Sequence, residues 1–187
     1  MLRKICAIST LMLLNISTYA ENTLVNMHTS LGTIKIELFD EQAPLSVENF
    51  KGYVKSNFYN DTIFHRVIPN FMVQGGGMTV DMTEKPNGQS IINESNNGLK
   101  NLRGTLAMAR TSDPHSAKSQ FFINVVDNDF LNKSQDNAGY AVFGQVIDGM
   151  SVIDQISHVP TRLYTQYQNV PIKPIKIFSV TIDNMKK

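Results

Sequence analysis

The clearest alternation of polar and apolar residues lies at Thr33–Leu38. A period of two is typical of a β-strand with one buried face, so this segment is predicted to be a strand. The tripeptide Ser30-Leu31-Gly32 before it supplies turn residues. We therefore expect Leu24–His28 to pair back on this strand as the other arm of a hairpin.

Two segments have the spacing of helices. Pro44 opens the first, because proline fits the first helical position, where its missing N–H would have no partner. Apolar residues recur there at three- and four-residue steps, at Val47, Phe50, Val54 and Phe58. The second helix is predicted from about Gly149 to Ser157, with Asp148 as its N-cap. Its inward-facing residues are Val152, Ile153 and Ile156.

Short apolar segments bounded by Gly, Asn, Asp or Pro account for most of the remaining chain, as strands do. They are Thr62–Ile68, Phe71–Gln74, Thr105–Ala109, Phe121–Val126, Tyr140–Val146 and Ile175–Ile182. In the last of them the apolar phase slips between Ile177 and Val180, which predicts a β-bulge. About eight strands and two helices favour a mainly β fold, a barrel capped by helices. The polar stretch Thr79–Leu102 is predicted to be a long, ordered surface loop.

The first twenty residues have the three-part layout of a secretory signal peptide. Arg3 and Lys4 precede an apolar stretch, and small residues at Thr18 and Ala20 mark a cleavage site before Glu21. The alternatives are a membrane anchor or a buried strand, but the apolar stretch is short for a transmembrane helix, which needs about 20 residues. We therefore predict a signal peptide over residues 1–20 and one mature domain over residues 21–187.

Composition narrows the classes of function. The chain has 187 residues, 17 Lys+Arg, 16 Asp+Glu and one cysteine, Cys6. Cleavage removes Cys6 together with Arg3 and Lys4, so the mature domain has no thiol and one more acidic than basic residue. A near-neutral domain argues against nucleic-acid binding. One cysteine excludes an intrachain disulfide and a Cys-rich zinc site.

Motifs for common cofactors and nucleophiles are absent from the sequence: it has no G-x-S-x-G, no H-E-x-x-H and no phosphate-binding G-x-x-x-x-G-K-[ST]. The histidines His28, His65, His115 and His158 are scattered singly, which favours surface or hydrogen-bonded core positions over metal ligation. Gly75-Gly76-Gly77 is interpreted as a backbone bend after a strand. We predict no metal and no cofactor.

Four longer motifs carry the most specific signal. Arg66 lies among apolar neighbours, which by itself indicates no more than a snorkelling arginine on a strand. Together, however, the motifs resemble the cyclophilin-type peptidyl-prolyl cis-trans isomerases, collinearly from about Asn26 to Asp183. They are FHRVIPNFMVQGG, GTLAMAR, SQFFINV and YAVFGQV. The signal peptide and the AMARTSD sequence resemble the periplasmic cyclophilins of Gram-negative bacteria.

This resemblance implies a closed eight-stranded antiparallel β-barrel with a helix over each end and an active groove on the outer wall. It implies catalytic roles for Arg66 and Gln74, with Gln74 orienting Arg66. The substrate-binding residues it implies are Phe71, Met72, Ala109, Gln120, Phe122, Phe130, Leu131 and Tyr140. Phe130 stands where many eukaryotic members have tryptophan, and Tyr140 where they have histidine.

The implied reaction is the rotation of X–Pro bonds in proline-containing unfolded or partly folded polypeptides of the periplasm. Loss of an indole N–H at Phe130 predicts weak inhibition by the family's inhibitor cyclosporin. We expect a monomer that binds no nucleic acid and does not stay inserted in a membrane after cleavage. One alternative is a cyclophilin-like binding module that uses loop Thr79–Leu102. A metal-dependent hydrolase on a β-barrel is a third, which would need clustered ligands.

Overall fold

The computed structural model describes residues 22–183, so the predicted signal peptide lies outside the described residues. Within them, α1 spans Pro44–Lys55 and α2 spans Met150–Ser157. A single 3₁₀ turn spans Asp129–Leu131. The strands are β1 (Leu24–Thr29), β2 (Gly32–Leu38), β3 (Thr62–Ile68), β4 (Met72–Gly75), β5 (Thr105–Met108), β6 (Phe121–Asn124), β7 (Val142–Asp148), β8 (Thr161–Tyr164), β9 (Tyr167–Pro171) and β10 (Ile175–Ile182).

Eight of these strands close into an antiparallel barrel in the order β1-β10-β3-β4-β6-β5-β7-β2. The predicted mainly β fold, a closed eight-stranded barrel with two helices, is therefore confirmed. The hairpin of β8 and β9 is a separate two-stranded sheet, which packs against β3. In the part of the chain that the structure describes, no helix combines the length and the apolar character needed to cross a membrane.

Both predicted helices are present, with one wrong cap and one misplaced residue. Asp148 is not the N-cap of α2: it ends β7, and Gly149 caps the helix with a φ of +88°. A Cβ atom on residue 149 would lie 2.5 Å from the carbonyl oxygen of Thr33, so the position requires glycine. Phe58 lies beyond the end of α1 and packs against the core from a turn, because Asn57 adopts a left-handed φ of +55°.

The predicted strands are present, with ends that differ by at most two residues. The bulge in β10 is confirmed: His28 of β1 faces Ser179 and Thr29 faces Ile177, which leaves Phe178 without a partner. The glycine bend is confirmed too, because β4 ends at Gly75 and the next residue has a φ of +83°. Hairpin β8–β9 was not predicted, since its strands bury only two adjacent residues, Val170 and Pro171.

The loop between residues 79 and 102 is held by side chains and by isolated β-bridges at Glu84 and Ile91, not by a continuous strand. Its Glu94 carboxylate accepts hydrogen bonds from the backbone N–H of Leu45 (3.0 Å) and of Ser46 (2.7 Å). These groups have no partner within α1, so the loop caps the helix. Lys85 donates to the carbonyl oxygen of Phe58 at 2.6 Å. The predicted ordered surface loop is confirmed.

Fully buried aromatic side chains fill the barrel. The Phe121 ring lies 5.7 Å from both Phe50 and Tyr59 and 6.2 Å from Phe64, with near-perpendicular planes in each pair. Edge-to-face contacts of this kind add to the free energy gained by burial. The Tyr59 hydroxyl, which lies in this apolar surrounding, donates to the carbonyl oxygen of Ser119 at 3.0 Å. Burial raises the pKa of Tyr59 well above its usual value, so the phenol stays protonated.

The buried hydrogen bond of Tyr59 predicts that replacing Tyr59 by phenylalanine lowers the free energy of unfolding more than the same replacement at Tyr53. We expect Tyr59→Phe to lower the free energy of unfolding by about 1–3 kcal/mol, because it leaves the Ser119 carbonyl buried without a donor. The matched control is Tyr53→Phe, whose hydroxyl accepts from the Gly88 N–H at an exposed site where water can replace it. Urea titration of both variants measures the difference. Equal losses in the two variants would contradict the role of the buried bond.

Candidate active site

The outer face of three neighbouring strands carries the candidate site. Arg66 of β3 pairs with Gln74 of β4, and Gln74 pairs with Phe122 of β6. Residues next to them in sequence, such as Val67 and Val73, belong to the main core. Side chains alternate between the two faces of a strand. Because Val67 and Val73 are buried inside the barrel, Arg66, Gln74 and Phe122 lie on the outer wall.

A second, smaller apolar cluster lies on this outer wall. Its buried members are Met72, Ala107, Phe122, Leu131 and Val142. It borders a cavity of about 100 Å³. The residues that line the cavity are Arg66, Phe71, Met72, Gln74, Ala109, Arg110, Phe122, Leu131 and Tyr140. The floor of the cavity is therefore apolar, and the guanidinium groups of Arg66 and Arg110 and the amide group of Gln74 lie beside it.

Two predicted site residues lie beside the cavity rather than in its lining. Gln120 directly precedes β6 and accepts a hydrogen bond from Gln74 Nε2 at 3.0 Å. Phe130 is 66% exposed and stacks on Phe71, with ring centroids 5.5 Å apart. It extends the apolar rim toward solvent. Arg110 also lines the cavity, although it is not among the predicted site residues.

Arg66 is half-buried and is oriented by an amide. Its Nη1 donates to Gln74 Oε1 at 3.3 Å. Together with the bond between Gln74 and Gln120, this hydrogen bond links three side chains in the order Arg66–Gln74–Gln120. Burial lowers the pKa of Arg66 from the usual arginine value, and Tyr140 opposes this shift. An arginine nevertheless stays charged at neutral pH. No carboxylate in residues 22–183 forms an ion pair with it.

A second cation shapes the far wall. The guanidinium of Arg110 lies 4.3 Å from the centroid of the Tyr140 ring, and its Nε donates to the carbonyl oxygen of Gly139 at 3.0 Å. The same ring meets Phe122 edge-on, with centroids 5.6 Å apart. Tyr140 is thus held on two sides, and its position in the wall is fixed.

Sequence reasoning missed a buried asparagine network behind the cavity. Asn128 donates to the carbonyl oxygen of Phe71 at 2.9 Å and to Asn124 Oδ1 at 2.8 Å. Asn124 donates in turn to Asn101 Oδ1 at 3.2 Å and to Thr105 Oγ1 at 2.9 Å. These asparagines are at most 2% exposed, so their hydrogen bonds are made within the protein.

The other end of this network holds two more cavity residues. Asn101 Nδ2 donates to the carbonyl oxygens of Leu131 and Tyr140, at 3.3 Å each. The Asn101 N–H donates to Asn132 Oδ1 at 2.7 Å. The network therefore ties three backbone segments of the cavity together. A weak sequence signal existed, since Asn124 ends a strand whose other residues are all apolar.

The four histidines do not form a cluster. In the described range 22–183, no group of three or more His, Cys, Asp or Glu is placed to hold a metal ion. His65 occupies a buried position, one of the two predicted kinds: it is 6% exposed, although its Nδ1 has no hydrogen-bond partner among the described residues. Burial lowers the pKa of His65 to about 4, so the ring is neutral at pH 7.

Comparison with known proteins gives a consistent result. The family described as cyclophilin type peptidyl-prolyl cis-trans isomerase/CLD matches residues 24–182. Over 164 residues the chain is 62% identical to a peptidyl-prolyl cis-trans isomerase of Acinetobacter baylyi, covering 88% of this chain and 87% of that protein. It is 54% identical to peptidyl-prolyl cis-trans isomerase B of Escherichia coli, covering 85% of this chain and 99% of that protein.

Solved structures agree with the sequence relatives. A crystal structure of a Cryptosporidium parvum cyclophilin type peptidyl-prolyl cis-trans isomerase in the presence of the dipeptide Ala-Pro aligns with a TM-score of 0.71. The two proteins are 31% identical, and the alignment covers 85% of this chain and 98% of that one. The barrel, the outer-wall site and these relatives together lead to one conclusion: the chain belongs to the cyclophilin-type peptidyl-prolyl cis-trans isomerases.

Proposed function

We propose that the chain accelerates X–Pro bond rotation in exported, folding proteins, and that Arg66 stabilises the twisted amide beside an apolar proline pocket. The pocket is the cavity lined by Phe71, Met72, Phe122 and Leu131, with Arg66 at its edge. The observation that carries the proposal is the position of Arg66: half-buried, held by Gln74 and adjoining an apolar floor.

The reaction needs no nucleophile and no acid–base pair. Rotation about an X–Pro bond crosses a barrier of about 18–20 kcal/mol, because twisting the bond destroys amide resonance. Without a catalyst it takes roughly tens to hundreds of seconds. A protein that holds the proline ring while the preceding carbonyl rotates lowers this barrier if it binds the twisted amide more tightly than the planar one.

The side chains of the cavity suit these two tasks. The apolar floor of Met72, Phe122 and Leu131 excludes water and fits the three methylene groups of a proline ring. Arg66 donates to the proline carbonyl and toward the prolyl nitrogen, whose lone pair becomes available only when resonance is lost. A fixed donor aimed at charge that develops in the transition state contributes about 2.7–4 kcal/mol. Gln74 keeps the guanidinium aimed in this direction.

Removal of Arg66 tests the mechanism. We expect Arg66→Ala to lower kcat/KM on a short X–Pro peptide by roughly 10²–10³, mainly through kcat, because the donor acts in the transition state. Arg66→Lys keeps the charge but loses the planar fork, so most of the loss should remain. NMR exchange spectroscopy of cis and trans signals measures the rates. Circular dichroism shows whether each variant is folded.

An unchanged rate in folded Arg66→Ala would contradict the role of Arg66. The same variant separates catalysis from binding. If Arg66→Ala still assists refolding of a client that has no proline, and changes in the loop at residues 79–102 abolish that assistance, the binding-module alternative is supported. If the wild-type protein does not assist refolding of that client, the binding-module alternative is contradicted.

The phenylalanine at position 130 predicts a weak response to cyclosporin. Its ring is mostly exposed on the pocket rim but has no N–H to donate. We expect Phe130→Trp to tighten inhibition by about tenfold, the size of one neutral hydrogen bond. The matched control is Phe178→Trp, at a phenylalanine on β10 that is 52% exposed. Inhibition curves on one X–Pro peptide compare the three proteins, and nanomolar inhibition of the wild type would contradict the prediction.

The proposed site of action is the periplasm. Support comes from the sequence: two basic residues, a short apolar stretch and a small-residue junction before Glu21. We expect protein expressed in a Gram-negative host to be found in the periplasmic fraction with Glu21 as its first residue, measured by intact mass. Ala20→Arg should block cleavage, because the junction requires a small residue. Full-length wild-type protein in the cytoplasmic fraction would overturn the assignment.

A further inference from the structure

A β-bulge interrupts β3 directly before Arg66. Phe64 pairs with Gly75 of β4 and Arg66 pairs with Gln74, so two steps along β3 correspond to one step along β4. The additional residue is His65. An extra residue on one strand bends that strand locally, and bulges next to active sites often re-aim a side chain.

The bulge changes the direction of Arg66. Phe64 and Val67 both belong to the main core, although they are three residues apart. In a regular strand the side chains alternate, so two residues three apart would face opposite sides of the sheet. The inserted residue lets both point inward while Arg66, which lies between them, lines the outer cavity. Without the bulge, either the guanidinium would turn toward the core or Phe64 would turn toward solvent.

Strand pairing does not hold His65 on either edge of β3. Toward β4 it is the residue without a partner, and toward β10 the pairing ends at Phe64, which faces Ile175. In an antiparallel ladder, paired residues fix each other's backbone through hydrogen bonds. Since His65 has no paired residue, its side chain is what can fix the inserted position.

The ring of His65 is buried under hairpin β8–β9. It lines a cleft of about 420 Å³ together with Arg66 and with Tyr167 and Asn169 of β9, so two consecutive side chains of β3 lie on one face. Its Nδ1 has no hydrogen-bond partner among the described residues. Burial lowers the pKa of His65 to about 4, so at pH 7 the neutral ring does not repel the neighbouring guanidinium. The ring therefore supports the bulge through the space that it fills.

We propose that His65 is a positioning residue of the isomerase: its buried ring holds the bulge of β3, and the bulge holds Arg66 on the outer wall. The inference rests on the proposed role of Arg66, because His65 acts only through that residue. Gln74 orients the guanidinium at the end of the side chain. His65 fixes the backbone from which the same side chain starts, so the donor is positioned at both of its ends.

Truncation of the ring tests the proposal. We expect His65→Ala to lower kcat on a short X–Pro peptide by roughly tenfold with little change in KM, because a misplaced donor weakens binding of the transition state rather than of the ground state. His65→Phe fills the space without an Nδ1 and should keep most of the wild-type kcat. If His65→Ala does not fold, His65→Thr, whose branched side chain suits a strand, takes its place with the same expectation.

The matched control is Ile63→Ala, on the same strand. Ile63 is 2% exposed and packs under the same hairpin, but it precedes the bulge. We expect this variant to lose stability, because it leaves a cavity, and to keep the wild-type kcat. In the double variant His65→Ala/Arg66→Ala the rate should be no lower than in Arg66→Ala alone, since both changes act through one group. A loss of kcat in Ile63→Ala equal to that in His65→Ala, or an additive loss in the double variant, would overturn the positioning role.

Failure of this inference and failure of the proposed function give different results. If Arg66→Ala lowers the rate and His65→Ala does not, the positioning role is overturned and the proposed function stands. Equal losses in His65→Phe and His65→Ala would overturn it as well. If Arg66→Ala leaves the rate unchanged, the proposed function fails, and the NMR order parameter of the Arg66 Nε–H bond then decides. We expect it to fall in His65→Ala and not in His65→Phe, and the same value in both variants and the wild type would overturn the positioning role.

Discussion

The outer wall of the barrel and its interior are made by the same short strands. Val67, Val73 and Phe121 point inward to the core, while Arg66 and Gln74 point outward to the site. Since successive side chains of a strand face opposite ways, a shift of one residue in pairing would exchange core and site residues. The aromatic packing around Phe121 thus fixes the register of β4 and β6, and with it the distance between guanidinium and pocket.

Strand register positions only half of the site, because the other walls come from loops. Phe71, Leu131 and Tyr140 lie outside the barrel strands, where single backbone hydrogen bonds hold them instead of a continuous ladder. The asparagine network adds further hydrogen bonds to their carbonyl oxygens. A buried amide left without a partner is costly, so the network favours one arrangement of these loops over all others. These hydrogen bonds therefore position the loop residues of the pocket.

The sequence predicted local features well and long-range ones poorly. Strands, helices and the β10 bulge follow from periodicity, which depends on neighbouring residues only. The predicted N-cap of α2 was wrong. The position is taken by Gly149, because the backbone there approaches the carbonyl oxygen of Thr33, a residue far away in sequence, too closely for a side chain. Hairpin β8–β9 was missed because it buries little apolar surface. The bonds of Asn128 to Phe71 and of Asn124 to Asn101 likewise depend on contacts between separate segments. The resemblance to a family located the pocket residues, which periodicity alone leaves as ordinary strand core.

The choice of an amide rather than a carboxylate beside Arg66 bears on the chemistry. A glutamate in place of Gln74 would form a bidentate ion pair and take up the donors that the substrate needs. It would also cancel the positive charge that, in the proposed mechanism, faces the developing lone pair of the prolyl nitrogen. Gln74 orients the guanidinium through one neutral bond at 3.3 Å and is itself oriented by Gln120. Arg66 therefore stays fixed in position while its charge stays uncompensated. In the proposed mechanism, a half-buried charge of this kind would interact more strongly with the reacting amide than one exposed to water.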